Sequence, residues 1–204
     1  KRQTLGDKPE LKWDYALTQL NLLGFSSTHD YLISSMQKVN ETFRLFPHAN
    51  PGLMSFKEIK ELKKYSPSGG LMIETFSKNI YDKGQPHYKT QTKFIDLRIE
   101  SLENALQAMY PVTTGLLLGL TSTADEVVDD VTNLILLIQN NKAIQEVILQ
   151  NFRAKKNTIM KNNSEITNDL FLRIIATTRI YSPSHISIQV LSLIHISEPT
   201  RPSS

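Results

Sequence analysis

The chain reads as an α/β protein, a parallel sheet wrapped by helices that forms a β/α barrel or part of one. Three observations point there. Apolar residues alternate between helical stripes and short unbroken runs. The runs lack the period-two alternation of a half-exposed antiparallel strand, as expected of strands buried on both faces. Polar residues gather just past the ends of the runs, where a parallel β/α barrel carries its active-site rim.

Taken in order, "DYALTQLN" (14–21) places Tyr15, Ala16, Leu17 and Leu20 on one helical stripe, which Gly24 ends. "STHDYLISSMQKVNETF" (27–43) offers Ser27 or Thr28 as N-cap and puts Leu32, Met36, Val39 and Phe43 on one face. "KEIKELKK" (57–64) spaces Glu58 and Glu61 from its lysines as a solvated helix face does. "GLMIETFS" (70–77) follows a glycine and predicts a buried strand. "RIESLENALQAM" (98–109) predicts a helix opened by Arg98, with Ile99, Leu102, Ala105, Leu106 and Met109 inward, and Pro111 breaks it. "VTTGLLLGL" (112–120) is the next buried strand, and "ADEVVDDVTNLILLIQ" (124–139) the next helix, with Asp125 and Glu126 at its cap. "EVILQNF" (146–152) predicts a strand, "NSEITNDLFLRIIATTRIY" (163–181) a helix, and "ISIQV" (186–190) the start of one more strand. Glu74 and Thr75, then residues 121–123, then Gln150, Asn151 and Arg153 make up the polar rim. Met36, Met54, Met72 and Met109 fall on apolar stripes as core.

Composition excludes several classes. The 23 basic residues are interspersed with 20 acidic ones, for a net charge of +3, and no basic stripe carries interleaved aromatics, so no nucleic-acid footprint is expected. The absence of cysteine removes disulfides and thiolate nucleophiles. No apolar run reaches the length of a spanning helix, and the first residues hold no signal-peptide core. The expectation is a cytoplasmic protein without a membrane partner.

The order of short motifs, "TLGDKPE", "LLGFSSTHDYL", "PHANPGLMS", "SPSGGLMIETFS", "KGQPHY", "TTGLLLGL", "IQEVILQNFRAK" and "SIQV", resembles one family: the radical S-adenosylmethionine (SAM) subunit of deazariboflavin (FO) synthase. "GDKPE", "PHANPG" and "QNFRAK" are its specific pieces. The resemblance implies a radical SAM partial (β/α) barrel that is TIM-barrel-like. It implies a 4Fe–4S cluster and SAM as cofactors, and a lyase-type reaction. In that reaction a 5′-deoxyadenosyl radical abstracts hydrogen from a hydroxybenzyl-ribitylaminouracil adduct, the ring closes and ammonia leaves. The adduct comes from a partner FO synthase subunit, separate or fused, and the product feeds deazaflavin coenzyme biosynthesis.

The resemblance also distributes roles. The "GDKPE" turn, with Gly6, Asp7, Lys8 and Glu10, corresponds to the segment under the methionine part of SAM, although by itself it reads as a solvated turn. Glu74 corresponds to the acid that accepts from the SAM ribose hydroxyls. Arg98 corresponds to the arginine that meets the SAM carboxylate, where a guanidinium fork binds bidentately. Gly115 and Gly119 correspond to the strand beside the adenine. His48, Asn50, His87, Gln150, Asn151 and Arg153 are candidates on the substrate side, with loop packing an equal alternative for the histidines. The family's Gly-Glu-Thr after this strand is Thr121, Ser122 and Thr123 here, and its Pro-Gly after "RAK" is Lys156-Asn157.

The family holds its cluster with a C-x3-C-x2-C triplet, because soft thiolates suit iron–sulfur clusters. No residue here can take that part, and the ligands are expected upstream of residue 1, so the chain alone is expected to be inactive. At the other end "LSLIHISEPTR" resembles the translation of a transposase-type sequencing adapter. The expected organisation is therefore residues 1–190 as a core truncated at both ends and 191–204 as a non-native tail. Two other readings stand beside this one: another radical SAM enzyme, of menaquinone-pathway or biotin-synthase-like type, and a non-catalytic barrel remnant acting as a binding module.

Overall fold

Among the described residues six strands lie side by side in chain order, every neighbouring pair parallel: β1 (Gln3–Thr4), β2 (Ala49–Asn50), β3 (Gly69–Gly70), β4 (Val112–Leu118), β5 (Ile144–Asn151) and β6 (Ser187–Leu191). The computed structural model describes residues 3–4, 7–121, 123–154, 156–163 and 165–191. Gly6 and the tail from residue 192 onward thus lie outside the described residues. Among those described, β1 and β6 do not pair, so the sheet stays open and the architecture is a partial barrel. No helix among them is long and apolar enough to cross a membrane.

Among the described residues six α-helices cross between the strands: α1 (Asp14–Leu22), α2 (Thr28–Phe43), α3 (Phe56–Leu62), α4 (Ile95–Gln107), α5 (Ala124–Asn140) and α6 (Asn168–Tyr181). Sequence-local caps start most of them. The Ser27 hydroxyl accepts from the Asp30 amide at α2, and Thr167 caps α6. Ser55 with Glu58 and Thr123 with Glu126 close capping boxes at α3 and α5. The Thr123 hydroxyl is thus the cap of α5, with Glu126 as its reciprocal partner, whereas the sequence pointed to Asp125 and Glu126.

Alternate strand residues separate core from cleft. Val112, Leu116 and Leu118 of β4 and Val147 and Leu149 of β5 are buried against Leu102 of α4, Leu134 and Ile138 of α5 and Phe171 of α6. Each such side chain contributes roughly 1.5–3 kcal/mol by leaving water. Thr113, Ile148, Leu117 and Gln150 line the cavities on the opposite face. β4 and β5 approach closely because Gly115 has no side chain: a Cβ there would sit 1.9 Å from the Ile148 carbonyl oxygen.

Several expectations are corrected. β3 is paired only at Gly69–Gly70, and the predicted strand over 70–77 breaks because Glu74 adopts a left-handed conformation (φ 70°). It regains the sheet there as an isolated bridge to Leu116. α4 starts at Ile95, so Arg98 stands inside its first turn and does not open it. α6 starts five residues after the predicted 163. The stripe of α1 is not buried: Tyr15 is 74% exposed. Phe43 (65%) and Met109 (78%) also face out, Met109 because it takes the left-handed position after α4 (φ 49°). Met72 is half-buried. Glu58 and Glu61 are not a purely solvated face, since Glu58 pairs with Lys8 and Glu61 lies 3.7 Å from His29 Nε2.

Candidate functional site

Three segments distant in sequence converge at the carboxyl ends of β1 to β3. Asp7 comes from the turn after β1. Glu74 comes from the interrupted run after β3, where its left-handed backbone is held by Glu74 N–H donating to the Gly115 carbonyl (2.9 Å) and Leu117 N–H donating to Glu74 O (2.8 Å). Lys93 and Arg98 come from the entry to α4. The Arg98 guanidinium, 2% exposed, meets Asp7 Oδ2 at 2.5 Å and donates to the Met72 carbonyl oxygen. Lys93 Nζ pairs with Glu74 Oε1 and lies 3.6 Å from Asp7 Oδ2. His87 Nε2 lies 3.2 Å from Glu74 Oε2 and its ring stacks on Tyr81. Asp7, Glu74, Lys93 and Arg98 face a cleft of about 190 Å³, floored by Thr113 and Ile148 and flanked by Asn50.

Backbone without side chains makes the close approaches possible. A Cβ at Gly52 (φ 78°) would lie 2.2 Å from Asp7 Oδ1, and one at Gly70 would lie 2.1 Å from Asn50 Oδ1. Glycine is therefore required at Gly52, where the backbone is left-handed and Asp7 Cα would lie 2.9 Å away, whereas at Gly70 the end of the Asn50 side chain would have to move.

Electrostatics sets the ionisation of the acid. Burial alone would raise the Glu74 pKa, but the hydrogen bond with His87 and the charges of Lys93 and Arg98 outweigh it and bring it down to about 2. The cleft thus holds carboxylates as acceptors opposite an ammonium and a guanidinium. The Arg98 Nε is buried with no hydrogen-bond partner, so the guanidinium keeps one donor unused.

The other sequence candidates scatter. Lys8 turns from the cleft and pairs with Glu58 Oε1 at 2.8 Å, tying the turn to α3. Glu10 accepts from the Thr28 amide (2.9 Å) and the Thr28 hydroxyl, closing the start of α2. Gly115 admits β5, and Gly119 (φ 90°) turns the chain beside Phe152. His48 Nδ1 meets the Ser68 hydroxyl at 2.9 Å. Gln150 and Arg153 line a second cavity of about 300 Å³, with Pro86, Leu117, Phe152 and Met160. Arg153 also pairs with Glu165. Asn151 is buried beneath the rim and donates to the Ile166 carbonyl oxygen at 3.2 Å. Sequence reasoning missed Lys93, Gly52, Tyr81 and Asp130. Asp130 left a signal as an acid in register with the buried stripe Val127, Val131, Leu134 and Ile138, and Gly52 stood within "PHANPG".

The open parallel β/α sheet matches the partial barrel that the resemblance implied, and it has likenesses among solved structures. It superposes on methylornithine synthase (PylB) with a TM-score of 0.55 at 16% identity, covering 85% of this chain and 54% of that one. On HydG, a maturase of the [FeFe]-hydrogenase, the TM-score is 0.64 at 15% identity, covering 78% and 37%. No family model matches the chain. In sequence the chain is a relative of the FO synthases. It is 34% identical over 187 residues, 92% of its length, to 7,8-didemethyl-8-hydroxy-5-deazariboflavin synthase of Methanopyrus kandleri. It is 37% and 38% identical, over 91% and 87% of its length, to FO synthases of Nocardia farcinica and Mycobacterium tuberculosis. It spans 56% of the first relative and about a fifth of the other two (22% and 21%).

Proposed function

We propose that the chain is the SAM-cradling part of an FO synthase. The parent protein would form the deazaflavin chromophore from a hydroxybenzyl-ribitylaminouracil adduct, with loss of ammonia, as a carbon–nitrogen lyase. A partner subunit or a fused domain would supply the adduct.

The observation that carries this reading is the meeting of Asp7, Glu74 and Arg98 at one cleft, from positions up to 91 residues apart. The donor set suits SAM. The Glu74 carboxylate, kept ionised, can accept from the ribose hydroxyls, and the Asp7 oxygens can accept from the ammonium. The unused Arg98 Nε–H would be available to an acceptor such as a carboxylate. Glu74 would take the ribose, Asp7 the ammonium side and Arg98 the carboxylate. Bound SAM would supply the hydrogen-abstracting group, and this chain's residues would orient it and exclude water. Gly6, outside the described residues, belongs by resemblance to the same turn. His87, on Glu74 and next to Pro86 of the second cavity, stands between the cofactor side and a substrate side made of Gln150 and Arg153. Asn50 borders the cofactor cleft, with His48 close behind it.

A 4Fe–4S cluster does not fit the residues present. The sequence has no cysteine, and among the described residues no group of histidines and acids is placed to hold a metal. The cluster ligands of the parent would stand outside residues 1–204, and this chain alone would not turn over substrate.

Calorimetric titration of S-adenosylhomocysteine, an unreactive analogue, into the chain tests the cleft. Saturable binding that Glu74→Ala and Arg98→Lys each weaken about tenfold or more is expected, since each removes a charge-assisted contact. Binding indifferent to both changes rules the assignment out.

A further inference from the structure

Helix α5 reaches across to the segment after Glu74 with two carboxylates one turn apart. Asp130 is 3% exposed, and its Oδ1 accepts from the Thr75 hydroxyl at 3.0 Å and from the Phe76 amide at 2.6 Å. The Thr75 hydroxyl in turn accepts from the Ser77 amide at 3.0 Å. Glu126 accepts from the Ser77 hydroxyl at 2.9 Å and from Asn79 Nδ2 at 3.0 Å. Residues 75–79 are therefore fastened to α5 point by point, immediately after a non-glycine residue in the left-handed region.

Such a conformation costs about 1–3 kcal/mol and persists only where the surroundings over-determine it. On one side of Glu74 the surroundings are β4, through Gly115 O and the Leu117 amide. On the other side they are Asp130 and, further along, Glu126. A buried carboxylate is also costly unless hydrogen-bonded, so an apolar residue at 130 would serve packing better. The acid is explained by the amide and hydroxyl it holds.

We propose that Asp130 is a positioning residue for the cleft: by gripping Thr75 and Phe76 it holds the left-handed turn that points the Glu74 carboxylate at Lys93 and His87. Asp130 itself does not enter the cleft. The relevance to SAM rests on the assignment of Glu74 above, whereas the grip itself rests on the geometry alone.

Amide exchange on the chain, read residue by residue by NMR, tests the grip. In Asp130→Ala the amides of Glu74 and Leu117, which Asp130 does not touch, should exchange about tenfold faster or more, as expected when a turn loses its buried acceptor. The His87 ring resonances should shift in the same variant. Amides in the middle of β5 should stay as in the wild type, and Asp130→Asn, which keeps an acceptor oxygen, should restore all three readouts. Unchanged exchange at Glu74 and Leu117 overturns the proposal. So does equal acceleration through β5, which makes Asp130 a residue of general stability, and so does failure of the asparagine to restore. Affinity for S-adenosylhomocysteine should fall about tenfold in the alanine variant and return in the asparagine one. A wild-type chain that takes up none of the analogue removes the cofactor assignment while exchange and the His87 signals still decide the positioning.

Discussion

Glu74 and Asp130 are both buried acids, yet their surroundings drive them in opposite directions. Burial raises both. At Glu74 the His87 hydrogen bond and the Lys93 and Arg98 charges overturn it, to about 2. At Asp130 burial prevails: the Phe76 amide and Thr75 hydroxyl offset only part, Glu126 and Asp129 add repulsion, and the value reaches about 6. The signs of the stability effects follow by linkage. The folded pKa of Glu74 is depressed, so its contribution is complete above pH 4.5 and is lost as pH falls towards 2. At about 1.4 kcal/mol per unit it is at most about 3 kcal/mol. Urea midpoints of wild type and Glu74→Gln should therefore differ most near pH 6 and converge by pH 2; a gap constant across that range contradicts the ion pairing. Asp130 is raised, so the folded chain gives up stability as pH climbs from 4 through 6. Asp130→Asn should be more stable than wild type at pH 8, by up to about 3 kcal/mol, and equal to it near pH 4. The same titrations read the opposite slope directly.

Elements were legible where their signals are local, and illegible where another part of the chain supplies the partner. α2, α3 and α5 carry their caps within four residues, and β4 and β5 hold apolar residues without a period-two alternation, so pattern alone found them. α4 has no side-chain cap at Phe94. Its first free amide, Ile95 N–H, is satisfied by the Tyr81 hydroxyl at 2.6 Å, which itself donates to the Lys93 carbonyl at 3.1 Å. Nothing in "RIESLENALQAM" could reveal that, and the predicted start fell three residues late. At its other end Lys63 Nζ donates to the Ala108 and Met109 carbonyl oxygens, 2.9 Å each, another distant cap. The cleft divides the same way: Glu74 stood out as an acid ending an apolar run, Asp7 and Arg98 were reached only through the family resemblance, and Lys93 sits in a basic loop that no motif marked. Tyr81→Phe should leave the Ile95 amide without an acceptor and cost about 1–3 kcal/mol, seen as faster exchange in the first turn of α4 and a lower melting temperature. Gly115→Ala tests the β4–β5 approach. With a backbone carbonyl 1.9 Å from the new Cβ, no rotamer relieves the clash, so a loss of about 1–3 kcal/mol or more in urea titration is expected. A neutral result would show that the two strands can separate freely.

At the scale of the whole molecule, the surface follows from an open sheet. A parallel sheet normally has both faces and both edges covered. Here β1 and β6 are both edges among the described residues, and apolar side chains stand in water near the β1 end. Leu11 (71% exposed), Trp13 (61%), Leu22 (76%) and Leu23 (63%) belong to α1 and its flanks, and Phe43 (65%), Leu45 (57%) and Phe46 (77%) to the end of α2. An amphipathic helix with no inward face buried is unusual, since packing of that face is what stabilises most protein helices. α1 has none buried. Scattered exposed leucines need no explanation, but two such groups on a molecule whose sheet edges are open among the described residues favour association. The chain alone should therefore self-associate as its concentration rises, by sedimentation velocity, and its single Trp13 should report a less polar environment as it does so. Replacing Leu22 and Phe46 with lysine should restore monomer while leaving the cleft intact, because neither side chain lines it. A wild-type chain that stays monomeric at high concentration and melts cooperatively would show that these faces are solvated as they stand.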